Sequence, residues 1–204
     1  MLDAIDSIKK LFKNISIALK GTEKEFTSGS INKAIFLLSV PMITEMVMES
    51  LFAVVDVFFV ARVGVNAVAT VGLTESILFI IYSVAVGLSM ALTAIVARRI
   101  GEKNPEKASN AAFQGLLISA GIATVLGLVG FFGAEQILLL MGGDETLVAE
   151  GVGYTRIMFA GNLSIVLLFV INAIFRGAGD ASIAMRSLWL ANGLNIVLDP
   201  LLIF

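Results

Sequence analysis

The chain has 204 residues, 58% hydrophobic and 15% charged, with mean hydropathy +0.97 and a formal net charge of −2. Soluble domains carry roughly 45–50% apolar and about 25% charged residues, so this composition calls for lipid as solvent and leaves no electrostatic footprint for nucleic acid. With neither Cys nor His in the chain, disulfides, thiol nucleophiles and most zinc chemistry are excluded, and proton handling near neutral pH falls to carboxylates.

Residues 1–30 are expected to be a cytosolic tail and linker. Asp3 and Asp6 precede the first lysines and no apolar core follows, so the start is not a signal peptide. Leu2, Ile5, Ile8, Leu11, Phe12, Ile15, Ala18 and Leu19 recur at helical spacing among Lys9, Lys10, Lys13 and Lys20. This pattern reads equally as an interfacial amphipathic helix or as a partly ordered tail. Thr22 to Ser30 is the polar linker.

A helix needs about 20 apolar residues to cross the hydrocarbon core. Five segments qualify, roughly 34–61, 67–97, 108–132, 157–175 and 183–204. The breaks are Arg62–Asn66, Arg98–Lys107, an acidic stretch Gly133–Arg156, and Arg176–Ser182. Basic residues mark the cytoplasmic side. The N-terminal lysines, Arg98/Arg99/Lys103/Lys107 and Arg176/Arg186 fall together if the spans alternate, and Glu135, Asp144, Glu145 and Glu150 fall opposite. The expected protein is therefore an all-α integral membrane protein with a cytoplasmic N-terminus and five spans within 31–204.

Span one contains Pro41, the one mid-helix proline expected, which should bend the helix by removing an N–H and crowding the preceding turn. Span three carries Ala111, Gly115, Ser119, Ala123 and Gly127, a small residue every fourth position that lets a neighbouring helix approach closely.

Ionisable groups within a span cost roughly 2.5–3.5 kcal/mol each on insertion scales and usually face protein or a wet cavity. In span one Glu45, Glu49 and Asp56 fall within an arc of about 40°; in span five Asn192, Asn195 and Asp199 fall within about 60°. Asp56, counted from Arg62, lies about 9 Å below the outer boundary. Asp199, counted from Arg186 across a core about 30 Å thick, lies about 10 Å from it. Two acids on different helices thus share a depth. Glu75 reads either as a third acid near that depth or as an interfacial side chain snorkelling outward; Glu45 lies deeper, in packing or as cavity lining. Carboxylates with amide oxygens suit a small hard cation such as Na⁺, and paired acids in low dielectric suit a proton. Packing acids with no transport role are the alternative.

The segments "SVPMITEMVMESLFAVVDVFFVARVG", "FRGAGDAS" and "NGLNIVLDPLLIF", in this order, resemble the N-terminal lobe of the multidrug and toxic compound extrusion (MATE) family, from about Gly29 to Phe204. The resemblance implies twelve helices in two six-helix lobes, and export of drugs or organic cations from the cell across the plasma membrane against Na⁺ or H⁺. It implies that Asp56 and Asp199 are the cation-coupling acids, with Asn195 as an amide of their network, so that any Na⁺ would sit among these three. Asn172 matches a further amide, and Glu45, Glu49, Asn192 and Glu75 become candidate cavity lining. Pro41 matches the proline at which the first helix bends in relatives. An acid at Glu49, where relatives often carry Gln, departs from the pattern. A sixth helix and a second lobe would be missing partners, the chain ending within the fifth helix. No cofactor is expected beyond the coupling ion.

Two other functions compete. A lipid-linked oligosaccharide flippase of the same superfamily should line its cavity with Arg and Lys, which the span centres lack. A non-transporting membrane scaffold would be indifferent to Asp56 and Asp199. An enzyme is not expected: no nucleophile–base pair with His or Cys exists, and "RGAGD" lacks the strand that a nucleotide loop requires.

Overall fold

A computed structural model of the chain describes residues 14–20 and 29–203. Residues 1–13, with Lys9, Lys10 and Lys13 of the expected amphipathic helix, lie outside the described residues, as do linker residues 22–28 and Phe204. Residues 14–20 are helical. Five long helices follow: α1 (Ile31–Val60), α2 (Val65–Gly101), α3 (Pro105–Leu140), α4 (Glu145–Gly177) and α5 (Ala181–Ile203). The described residues form no strand. Three of the helices, α2, α3 and α4, are long and apolar enough to cross a membrane by length and composition.

The local sequence explains where the helices stop and start. After α3, Gly142 takes φ +92°, and Gly143 N–H donates to Leu138 O at 2.9 Å, closing a left-handed C-terminal cap. Asp144 then opens α4 by accepting from Leu147 N–H at 2.8 Å. The same device recurs at Gly179 (φ +96°), where Asp180 Oδ1 accepts from Ser182 N–H at 3.0 Å. Asn104 accepts from Lys107 N–H at 3.0 Å, with Pro105 at the first position of α3.

These caps correct one expectation. Gly133–Arg156 is not a long break: α3 continues to Leu140 and α4 begins at Glu145, leaving only residues 141–144 between them. At 1.5 Å per residue a 36-residue helix is about 54 Å long, well beyond a core of about 30 Å. Glu135, Glu145, Glu150 and Arg156 therefore ride on helix rather than on a connecting loop. A second correction concerns proline. Pro200 lies inside α5, so Pro41 is not the only mid-helix proline. The helix continues three residues beyond Pro200.

Helices α2, α3 and α4 pack into a three-helix bundle, while α1 pairs chiefly with α5 and touches α2 only lightly. Bundle cores form around Leu78, Ile81, Ala85, Ala123, Phe159 and Val166, and around Leu92, Val96 and Val170. In lipid the association of helices depends on close packing and polar contacts rather than on hydrophobic burial. The stripe expected on α3 supplies the first: Ser119, Ala123 and Gly127 are buried, and the stripe runs on through Gly130 and Ala134. At Gly130 the Phe159 ring lies so close that a Cβ would stand 1.9 Å from Cδ1. The second comes from Thr74 and Thr155, hydroxyl to hydroxyl at 2.9 Å, from Thr93 Oγ1 donating to Ala173 O at 3.0 Å, and from Asn162 Nδ2 donating to Ala123 O at 3.4 Å.

The α1–α5 pair is held around Pro41, which is fully buried. Thr44 Oγ1 donates to Val40 O (3.0 Å) and Pro41 O (2.8 Å) and meets Met185 Sδ at 3.1 Å. Trp189 Nε1 donates to Thr44 O at 3.4 Å. Helix α1 remains helical through Pro41, so the proline does not end it. Arg186, in the first half of α5, donates through Nη2 to the carbonyls of Leu19 and Lys20, tying residues 14–20 to this pair.

Candidate functional site

The pairing of α1 with α5 brings the two polar seams together. Asp56 on α1 is half-buried, and it lies within electrostatic reach of Asp199 on α5. Asp199 is 9% exposed, and its Oδ2 is buried without a hydrogen-bond partner. Two turns earlier on the same seam, Asn192 Nδ2 is also buried and unpartnered. Asn195 is half-buried between them, and no hydrogen bond links it to either acid. Their separation along the chain, from Asp56 to Asp199, is 143 positions by subtraction of their numbers, and the fold brings them within electrostatic reach.

Glu75 on α2 is exposed and interacts electrostatically with Asp56. Tyr154 on α4 lies within reach of both Glu75 and Asp56, and Tyr82 on α2 within reach of Glu75. The chain contains only two tyrosines, and both are here. Sequence reasoning passed over them. For Tyr82 the available signal was a phenol within an apolar span, whose hydroxyl needs a polar partner; Tyr154, in the acidic stretch, carried none.

Glu45 belongs to a separate group. It is buried, and Arg176 Nη1 of α4 approaches its two carboxylate oxygens at 3.3 and 3.5 Å. Glu49, one turn along α1, is exposed and also feels the Arg176 charge. Arg176 was read from the sequence only as a loop residue setting orientation; its pairing with a span acid required the fold. Asn172 is buried on α4 one turn from Arg176, on the same face, and makes no hydrogen bond to Asp56 or Asp199. The candidate residues thus divide into Asp56, Asp199, Asn195 and Glu75 towards one end and Glu45 and Asn172 towards the other, with Glu49 and Asn192 at a level between them.

Among the described residues no three acids converge closely enough to cage a metal ion. The donor set at the α1–α5 seam is a pair of carboxylates with nearby amide oxygens. Such a set suits a monovalent hard cation or a shared proton, since either cancels charge that the pair cannot both carry in low dielectric.

The MatE family profile matches residues 41–201. An FAD transporter of Shewanella oneidensis is 29% identical over 177 residues, which cover 87% of this chain and 39% of that protein. A probable multidrug resistance protein of Bacillus subtilis is 28% identical over 183 residues, covering 89% of this chain and 39% of that protein. Among solved structures, the outward-facing conformation of a multidrug resistance MATE family transporter of the MOP superfamily superposes with a TM-score of 0.81 at 35% identity. That superposition covers 86% of this chain and 39% of the other. The chain spans about two fifths of the length of these relatives.

Proposed function

Since this membrane protein belongs to the MatE family of multidrug efflux transporters, we propose that it supplies the first lobe of a cation-coupled antiporter. In this reading α1 and α5 cross the plasma membrane beside α2, α3 and α4, residues 1–30 are a cytosolic tail, and a sixth helix and a second lobe complete the machine. The cargo is a small-molecule drug or organic cation. The coupling ion, Na⁺ or H⁺, binds at Asp56, Asp199 and Asn195.

The observation that carries the proposal is Asp199, whose Oδ2 is buried without a partner while a second carboxylate, Asp56, stands within electrostatic reach. Two acids so placed resist ionising together. Binding one cation relieves the repulsion, and a lobe conformation that brings the acids closer binds it better, which biases the equilibrium between inward-open and outward-open states. Glu75, Tyr82 and Tyr154 extend the polar surface next to Asp56, and Asn192 extends the seam on α5. Pro41 is the flex point of α1, where the missing N–H loosens the helix next to Thr44 and Met185. Glu45, Glu49 and Asn172 line the cytoplasmic half.

The cluster's charge favours a cationic cargo. Three acids, Asp56, Asp199 and Glu75, gather here, and the charged groups that act on Asp56 and Glu75 are themselves acids. The flippase reading asks for free Arg or Lys in the cavity, whereas Arg176 is paired with Glu45. The test is ion-driven efflux of a fluorescent organic cation from vesicles carrying Asp56→Asn, Asp199→Asn or both in the complete transporter. Each single change is expected to abolish coupled export while insertion persists, and the double change to add little. Parental transport by both single variants would refute the coupling site and leave the acids as packing groups.

A further inference from the structure

We propose that the cleft between α2 and α3 at their basic ends is a binding site for one anionic phospholipid of the cytoplasmic leaflet. The cleft measures about 380 Å³ and is lined at its mouth by Arg99, Lys107, Asn110 and Gln114. Deeper in, Leu92 and Ile118 form part of an apolar floor. That volume falls within the range of about 300–1,000 Å³ typical of ligand pockets. The order of the lining is that of a phospholipid, cationic and amide donors first, hydrocarbon below.

The charge at the mouth is net positive after its internal pairs are counted. Glu102 bridges two guanidiniums, Arg98 Nε at 2.9 Å and Arg99 Nη1 at 2.8 Å. The Arg99 and Arg98 hydrogen bonds hold the Glu102 carboxyl below its ordinary value, so it stays ionised and cancels only one of the two positive charges. Lys107 faces this group from α3 and makes no ion pair among the described residues. Lys103 in the connecting turn offsets Glu106 in the first turn of α3. One charge from the Arg98/Arg99/Glu102 group and one from Lys107 remain for a phosphodiester.

Gly115 lies against Leu92 in the floor, where a Cβ would come within 2.7 Å of Leu92 Cδ2, so α2 and α3 pack closely at that level. A basic pocket between helices on the cytoplasmic side is the arrangement that holds acidic lipid headgroups. This site shares no residue with the Asp56–Asp199 seam, and its test does not depend on transport.

The test is thermal unfolding of the purified chain in neutral detergent, titrated with phosphatidylglycerol, with phosphatidylcholine of the same acyl chains, and with inorganic phosphate. Phosphatidylglycerol is expected to raise Tm saturably and the other two to do little. Each lipid-facing basic group near a surface is worth roughly a five-fold change in affinity. Arg99→Gln and Lys107→Gln should therefore each weaken the phosphatidylglycerol response about five-fold, and the pair about 25-fold, with Lys103→Gln changing it less than two-fold. Lys107→Gln guards against misfolding, because its side chain is exposed and only its backbone N–H caps the helix. Equal stabilisation by phosphatidylcholine or by phosphate, or an undiminished response in Lys107→Gln, would overturn the site.

Discussion

The Glu45–Arg176 pair offers a prediction whose size follows from the structure. Arg176 Nη1 lies 3.3 Å from Glu45 Oε1, and the side chains are 19% and 12% exposed. At an effective dielectric of about 20, two unit charges at that distance attract by about 5 kcal/mol, most of it offset by desolvation. The net worth of the pair is thus small, but the two partners differ in what happens when one is left alone. Glu45 sits inside α1 on its packed face, with no other base close enough to hydrogen-bond it among the described residues. Arg176→Gln strands that carboxylate and should cost about 3–5 kcal/mol. Arg176 lies in the last turn of α4, and its long stem can carry the guanidinium to the interface. Glu45→Gln should therefore cost only about 1–2 kcal/mol, and the double Gln variant should recover most of the Arg176→Gln loss. Unfolding of the chain in mixed micelles of rising SDS content, followed by helical circular dichroism, reads all three. Equal losses below about 1 kcal/mol for both single variants would mean that water screens the pair, and the reasoning would fail.

Two further outcomes are expected. Gly130→Ala gains about 1 kcal/mol of helix propensity but drives a Cβ into the buried Phe159 ring, which should cost about 1–3 kcal/mol by overpacking and lower Tm; Gly121→Ala, whose Cβ meets nothing within 4 Å, should not lower it. A Gly130→Ala protein as stable as its parent would show that the α3–α4 contact is looser than drawn. Asp144→Ala should lower Tm at pH 7 and Asp144→Asn much less. Its hydrogen bond from the Leu147 N–H, with that from Thr146, holds the Asp144 carboxyl below its ordinary value, so the ionised cap stabilises fully above about pH 4 and the benefit fades as pH falls through the lowered value. A Tm difference between parent and Asp144→Ala that stayed constant down to pH 2 would contradict that sign.

The sequence by itself determined the helical class, the basic helix ends and the residues of the two seams. Hydropathy, the small-residue stripe from Ser119 to Gly127 and the 3.6-residue period each depend on neighbours close in the chain, and the matching depth of Asp56 and Asp199 is simple counting along two helices. The Gly133–Arg156 stretch was misread because polarity reports contact with water and not the absence of helix, and α3 and α4 run through most of it. Which helices pair was beyond the sequence. In lipid one apolar face is as good as another, so periodicity names the face that packs but not its partner; steric fit, such as Gly130 under Phe159, makes the choice. Only the tertiary structure set α1 against α5, brought Arg176 to Glu45 across 131 positions, and placed Tyr82 and Tyr154 within electrostatic reach of the acids.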